Sequence, residues 1–267
     1  MLPLDPEDRK EIGRTGERVS AIGLGTWGVR DRERARKAII RAVEIGIDLI
    51  DTAEMYSTEE VVGSAVKEVG RENAFITTKL MPEHFINPYK AIKAAKLSLK
   101  RLDMGYADLV LIHWPHEFVP IEQQVKSLER IAEEGLSRYI GVSNFDLEEL
   151  ERAVKSTKRN EIVVNQVKYS VLDKRIERDI LPYCIEKGIT VQAYTPIERG
   201  RVTKVQLIRE IARRNGKTEV QVSLNYLISK PRVTAIPKSE RIEGVEEFRG
   251  AMGWRLSSED IHLIERL

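Results

Sequence analysis

Cysteine is almost absent. Cys184 is the only one in 267 residues, so no disulfide can form within the chain, and a reducing compartment fits. It lies in LPYCIEKG at helical spacing from Ile176 and Ile180, the position of a small core residue and not of a reactive thiol. Long apolar runs are missing as well. None approaches the roughly 18 residues that span a bilayer, and the opening MLPLDPEDRKEIG lacks the apolar segment of a signal peptide. A soluble, cytoplasmic protein without a membrane partner is expected. There is no excess of one charge sign, because Lys+Arg 44 against Asp+Glu 42 leaves +2. With no concentrated basic face, nothing points to nucleic acid. Linkers, low-complexity stretches and charge blocks are also lacking, so residues 1–267 read as one domain. The histidines, at 84, 113, 116 and 262, come without a cysteine or carboxylate set, and no metal site is expected. G-x-S-x-G and P-loop patterns do not occur.

Charge itself is abundant, at 32% of residues. Much of it is spaced for exposed helices, as in Glu148/Arg152 and Glu151/Lys155, where an acid four residues before a base adds a few tenths of a kcal/mol. Plentiful Lys, Arg and Glu with few Asn and Gln suit a heat-tolerant source, or equally an ordinary solvated surface.

The first 20 residues contain EIGRTGERVS, a Thr-Gly turn between strand-like halves, which reads as a β-hairpin forming a small lid. The chain then alternates. The short apolar runs SAIGLG, IDLIDT, AFITTK, ADLVLIH, YIGVSN, IVVNQ, ITVQAY and VTAIPK have the near-continuous apolar character of parallel strands covered on both faces. Helical spacing follows each run, over 32–45, 58–69, 87–102, 121–134, 146–157, 175–187, 205–230 (broken near Asn215-Gly216) and 241–252. Asp31, Ser57, Asp146 and Thr218 suit N-caps, Ser57 and Thr218 with Glu60 and Gln221 three residues on. Gly46, Gly135 and Gly188 suit helix ends. A last helix is expected over 258–266, after Ser257. Eight β-then-α units of this length predict an α/β fold, a closed (β/α)8 TIM barrel with an N-terminal β-hairpin lid and an extra C-terminal helix.

One motif points elsewhere. Gly23-Leu24-Gly25-Thr26-Trp27-Gly28 matches G-x-G-x-x-G, and Asp48 follows 20 residues past Gly28, as in a dinucleotide-binding βαβ unit. There the glycines open the helix directly. Here the helix starts only after Asp31, so the glycines are better read as a tight turn out of the first strand, beside a ligand.

In a (β/α)8 barrel the active site lies at the C-terminal strand ends. Those ends carry Asp51, Lys79, His113, Ser143-Asn144, Gln166, Tyr194 and Lys238, with Tyr56 five residues past Asp51. A phenol has an ordinary pKa near 10 and is a poor acid at neutrality. Lys79, held charged by Asp51, is expected to lower it, while His113 donates a hydrogen bond to a substrate oxygen. Asp51, Tyr56, Lys79 and His113 are therefore the expected catalytic group.

At these residues the sequence resembles the aldo-keto reductase family over almost its whole length. GLGTW (23–27), IDTAEMY (50–56), TTKL (77–80), LIHWP (111–115), GVSNF (141–145), VNQVKY (164–169), AYTP (193–196) and IPKS (236–239) stand in the family's order and spacing. The nearest likeness is to prokaryotic, short-loop members that include diketogluconate-type reductases. The resemblance implies an NAD(P)H-dependent reductase of aldehydes or ketones with Tyr56 as proton donor. It implies Ser143, Asn144 and Gln166 on the nicotinamide amide and Tyr194 stacked on its ring. Thr195, Pro196, Ile197 and Arg199 would lie near the pyrophosphate, with Thr26 and Trp27 beside the cofactor. Lys238, Ser239 and Arg241 would take the adenosine 2′-phosphate, which favours NADPH and leaves NADH as an alternative. Trp27, Tyr56, His113, Trp114 and His116 would rim a small-molecule carbonyl substrate, in a monomer or weak homo-oligomer.

Two departures stand out. Where the family often has Arg and Asn in the helix after the lysine, this chain has Gly244 and Phe248. Glu198 also places a negative charge near the expected cofactor tunnel, for Arg199 or Arg201 to offset. Two rival classes on the same barrel are a cofactor-sensing regulatory subunit, which turnover of simple aldehydes would separate, and a sugar-phosphate isomerase. The isomerase would need a glycine loop after strand seven or eight, and only Gly200 is there.

Overall fold

The computed structural model describes residues 5–267. All eight expected strands form, as β3 (Leu24–Gly25), β4 (Leu49–Asp51), β5 (Phe75–Leu80), β6 (Ala107–Ile112), β7 (Ser137–Ser143), β8 (Ile162–Lys168), β9 (Thr190–Tyr194) and β10 (Val233–Ala235). They pair in parallel in chain order. Bridges Ile22 to Ala235 and Gly25 to Lys238 join the last strand to the first, so the ring closes as a (β/α)8 barrel. Strands β4, β5, β6 and β10 are buried at every residue, as strands covered on both faces must be.

The helices match the apolar spacing to within a residue or two at most ends. They are α1 (Arg32–Glu44), α2 (Glu59–Val69), α3 (Pro88–Leu102), α4 (Ile121–Glu133), α5 (Leu147–Ser156), α6 (Ile180–Lys187), α7 (Gln206–Asn215), α8 (Glu219–Ile228), α9 (Ile242–Arg249) and the C-terminal α10 (Ser258–Glu265). The expected break at Asn215-Gly216 separates α7 from α8. Asp31 caps α1, while Asp146 and Thr218 form full capping boxes with Glu149 and Gln221. Ser57 does not cap α2. It sits left-handed at φ 56° after a 3-10 turn, and Thr58 precedes the helix. Glu60 pairs with Arg32 instead. Arg152 likewise takes Glu122 of the neighbouring helix at 2.9 Å rather than Glu148, whereas Glu151 and Lys155 lie 3.6 Å apart. Cys184 is fully buried, and burial pushes its thiol up to about 12.

The expected hairpin forms, β1 (Arg9–Glu11) with β2 (Arg18–Ser20), and it covers the end of the barrel where the strands begin. It contacts strand starts: Gly13 N donates to Thr190 Oγ1 at 2.9 Å and Ser20 N to Asp48 Oδ1 at 2.7 Å. Its alternate residues Ile12 and Val19 are buried among Leu49, Phe75, Leu109 and Val163 inside the barrel. The hairpin is a floor, and the C-terminal strand ends stay open. The first glycines of the G-x-G motif let the first strand pack closely against its neighbours on both sides. A Cβ on Gly23 would meet Leu49 Cγ at 2.8 Å, and one on Gly25 the Ile236 carbonyl at 3.0 Å. No helix begins there to receive a phosphate.

Candidate active site

At the open end lies a pocket of about 400 Å³ bordered by Asp51, Tyr56, His113, Trp114, Ser143, Asn144, Gln166, Tyr194, Lys238 and residues of the adjoining loops. Three strands and one turn bring the expected catalytic side chains together. Lys79 points inward from β5, fully buried, and donates from Nζ to Asp51 Oδ2 at 2.7 Å and to the Thr52 carbonyl at 2.9 Å. The other carboxylate oxygen of Asp51 accepts from Gln166 Nε2 at 2.7 Å. Burial pushes the Asp51 carboxyl up and the Lys79 ammonium down, each against the pull of its partner.

Tyr56 ends a 3-10 turn, Glu54–Tyr56. Its ring stands over Lys79 Nζ, 4.5 Å from the centroid, and edge-on to His113 at 5.6 Å. The sequence reading expected Lys79 to lower the phenol's pKa. The structure reverses that direction, because burial and the Asp51 charge, then Tyr194, hold it well above 10. The ammonium spends its hydrogen bonds on Asp51 and Thr52. The phenol therefore keeps its proton, which suits an acid.

His113 lies flat on Trp114, ring centres 3.7 Å apart. Burial, with Lys79 second, depresses its imidazole to about 3, and Nδ1 has no partner. The ring is neutral at ordinary pH. Opposite it, Asn144 takes φ 62°, a left-handed conformation that Asn tolerates better than most side chains. Its Nδ2 donates to the His113 carbonyl at 2.9 Å, and its Oδ1 accepts from Tyr194 Oη at 2.8 Å. That bond fixes the Tyr194 ring as one wall. Ser143 Oγ donates to the Gln166 carbonyl at 2.9 Å.

The loop after β9 carries left-handed φ values at Thr195, Glu198, Arg199 and Gly200. Strain of this kind persists only where surroundings impose it. Here Glu198 is buried, accepts from Ser170 Oγ at 3.0 Å and pairs with Lys168 at 3.2 Å and Arg201 at 3.8 Å. Lys168, at the end of β8, is the offset the sequence reading did not name. Arg199 instead crosses to Trp27, its guanidinium 4.9 Å from the ring centroid.

Other expected residues lie elsewhere. Thr26 is buried behind the pocket, its Oγ1 donating to the Asp51 carbonyl at 3.0 Å. Ser239 and Arg241 sit beyond Lys238, with Arg241 N donating to Ser239 Oγ at 3.0 Å, and neither borders the pocket. His116 belongs to a separate groove with Phe118 and Arg152, held where Gln124 Oε1 accepts from its backbone N–H. Several neighbours were not expected. Gln192 Oε1 accepts from Gln166 Nε2 at 2.9 Å. Its position two residues before Tyr194 placed it on the same inward face, so strand alternation could have found it. Met55, Gly28 and Ile236 also border the pocket.

A sequence model of the aldo/keto reductase family matches residues 21–267. The chain belongs to the aldo/keto reductase family. Curated relatives in the family include methylglyoxal reductase YeaE of Escherichia coli, 35% identical over 93% of this chain and 90% of its own length. Another is the glyoxal reductase of Bacillus subtilis, 33% identical over 100% of this chain and 95% of its own. Among solved structures, the thermostable aldo-keto reductase Tm1743 bound to epalrestat is 40% identical with a TM-score of 0.89, covering 97% of this chain and 98% of its own. A Klebsiella pneumoniae aldo/keto reductase holding NADP and acetate is 32% identical at the same TM-score, covering 97% and 95%. Among the described residues of this family member, no helix is long and apolar enough to cross a membrane.

Proposed function

We propose that the chain, acting as one domain, reduces small aldehydes and ketones to alcohols with NADPH, and takes dicarbonyls such as methylglyoxal and glyoxal among its substrates. The observation that carries this reading is the convergence of Tyr56, His113, Lys79 and Asp51 on the pocket that Tyr194, Asn144, Ser143 and Gln166 wall. The wall suits a dinucleotide: a fixed aromatic face for a flat ring, polar side chains beside it for a carboxamide, and the Lys238 ammonium for a phosphate.

When bound, the reduced nicotinamide supplies a hydride to the carbonyl carbon. The chain's own groups act on the oxygen. Neutral His113 donates a hydrogen bond that orients the carbonyl and stabilises charge as it develops. Tyr56 then gives its phenolic proton to that oxygen, completing the alcohol. Lys79, 4.5 Å from the ring centroid, stabilises the phenolate that remains, and Asp51 keeps Lys79 in place. Trp27, Met55 and Trp114 are each at least a third exposed and border the mouth, leaving an open apolar entrance and loose substrate selection.

The test is NADPH and NADH oxidation with a panel of aldehydes and ketones, wild type against Tyr56→Phe. The variant should lose about 10²-fold or more in kcat while binding the cofactor normally. Full activity in the variant would remove Tyr56 as the acid.

A further inference from the structure

The Lys238 ammonium is not free to meet a ligand unopposed. Glu240, two residues on, places Oε1 3.4 Å from Lys238 Nζ. Its Oε2 accepts from the backbone N–H groups of Arg30 and Asp31, at 2.9 and 3.1 Å, just ahead of α1. Burial works to raise the Glu240 carboxyl, but the two amides and Lys238 outweigh it and hold it below the usual carboxylate range. The group is ionised at neutral pH. One ammonium and two backbone donors thus make an anion seat that the protein's own carboxylate fills.

We propose that Glu240 is a specificity-determining residue, whose carboxylate occupies the anion seat beside Lys238 and so shifts the enzyme from strict NADPH dependence toward use of NADH as well. The proposal rests on the reading of Lys238 as the 2′-phosphate contact. A phosphate approaching Lys238 either shares the ammonium with a carboxylate of like charge or pushes Glu240 off two N–H donors. Both are unfavourable. A ribose with a free 2′-hydroxyl meets no such opposition and can donate to the same carboxylate. Gly244, in α9, has no side chain with which to restore the balance. Arg199 borders the same pocket but lies over the Trp27 ring, and Arg30 and Arg241 are exposed and without ion pairs among the described residues, where water screens them.

Glu240→Gln is the discriminating substitution, because the amide oxygen can still accept from Arg30 and Asp31 while the charge is gone. Binding of NADPH and of NADH is measured by quenching of tryptophan fluorescence in wild type, E240Q and Lys238→Met, with no turnover needed. E240Q should tighten NADPH about tenfold and leave NADH within about twofold, and retained NADH binding also certifies its fold. If E240Q changes both cofactors equally, or neither, while K238M selectively weakens NADPH, the role of Glu240 is overturned and the Lys238 reading stands. If K238M weakens both alike and E240Q is silent, the 2′-phosphate reading falls and this inference with it. Selective tightening in E240Q together with selective weakening in K238M supports the proposal; selective tightening while K238M weakens both cofactors alike would place the phosphate away from Lys238 and overturn it.

Discussion

Lys79 Nζ and Asp51 Oδ2 lie 2.7 Å apart with both side chains sealed from solvent. Removing one member of a buried ion pair strands the other, at about 3–5 kcal/mol. Lys79→Met should therefore lower the urea midpoint strongly and abolish carbonyl reduction. Adding Asp51→Asn to it should recover part of the stability, because no charge is then left unpaired, and none of the activity. Denaturation curves and kcat for the single and double variants check this. Activity returning with stability would make the pair a scaffold with no catalytic part.

Tyr56 and His113 are pushed in opposite directions, the phenol well above 10 and the imidazole to about 3. Between those limits the acid stays protonated and the imidazole neutral, so kcat for reduction should be flat from about pH 5 to 9. His113 also has a stability signature. The folded protein binds its proton less readily than the unfolded chain, whose imidazole titrates near 6.5. The contribution is therefore complete above that value and is lost as pH falls toward 3. Unfolding at pH 7 and pH 5 should show wild type losing more stability than His113→Gln. An equal loss in the two would remove His113 as the source.

The barrel was legible because eight apolar runs alternate with eight amphipathic segments, and burial on both strand faces writes itself as unbroken apolar sequence. The candidate site was legible for a related reason. Strand ends at one rim must carry whatever chemistry the barrel performs, so Asp51, Lys79, His113, Gln166 and Tyr194 could be read from position alone. Properties that depend on where a side chain turns were not legible. The hairpin reads the same whether it covers the mouth or the floor; contacts from Gly13 and Ser20 to strand starts decide it. The direction of the Tyr56 shift follows from burial and the Asp51 charge, which no spacing encodes. Glu240 looks like one more surface acid until its two backbone partners are seen.

Arg199 reaches from the loop after β9 to the Trp27 ring, 4.9 Å from guanidinium to centroid, and both residues border the pocket. A cation over an indole contributes about 0.5–1 kcal/mol at an exposed site and more when a ligand excludes water. Arg199→Ala should weaken cofactor binding about 3- to 10-fold, seen as a faster dissociation rate, with the chemical step in single turnover unchanged. A variant that binds as tightly as wild type would mean the contact does nothing to retain the cofactor.

Glu54 begins the turn that ends in Tyr56, and its Oε1 accepts from Met81 N at 2.5 Å, two residues past Lys79. His84 Nε2 lies 3.0 Å from the same oxygen, and Arg101 in α3 comes within 4.0 Å of Oε2. Arg101 also donates to Glu59 Oε2 at 2.6 Å, and Glu59 in turn accepts from Thr78 Oγ1 at 2.7 Å. One carboxylate thus ties the tyrosine's turn to the strand end that carries the lysine, and Arg101 braces both. Reacting groups displaced by about 1 Å can lose 10²-fold in rate. Glu54→Ala should therefore lower kcat about 10- to 100-fold with little change in cofactor affinity. Glu54→Gln keeps an oxygen for Met81 N and should stay within a few-fold of wild type, although it gives up the charge facing His84. That imidazole is partly exposed, so its ion pair adds little. A fall in kcat as large in Glu54→Gln as in Glu54→Ala would assign the effect to the lost charge, and the positioning role of the Met81 bond would be wrong.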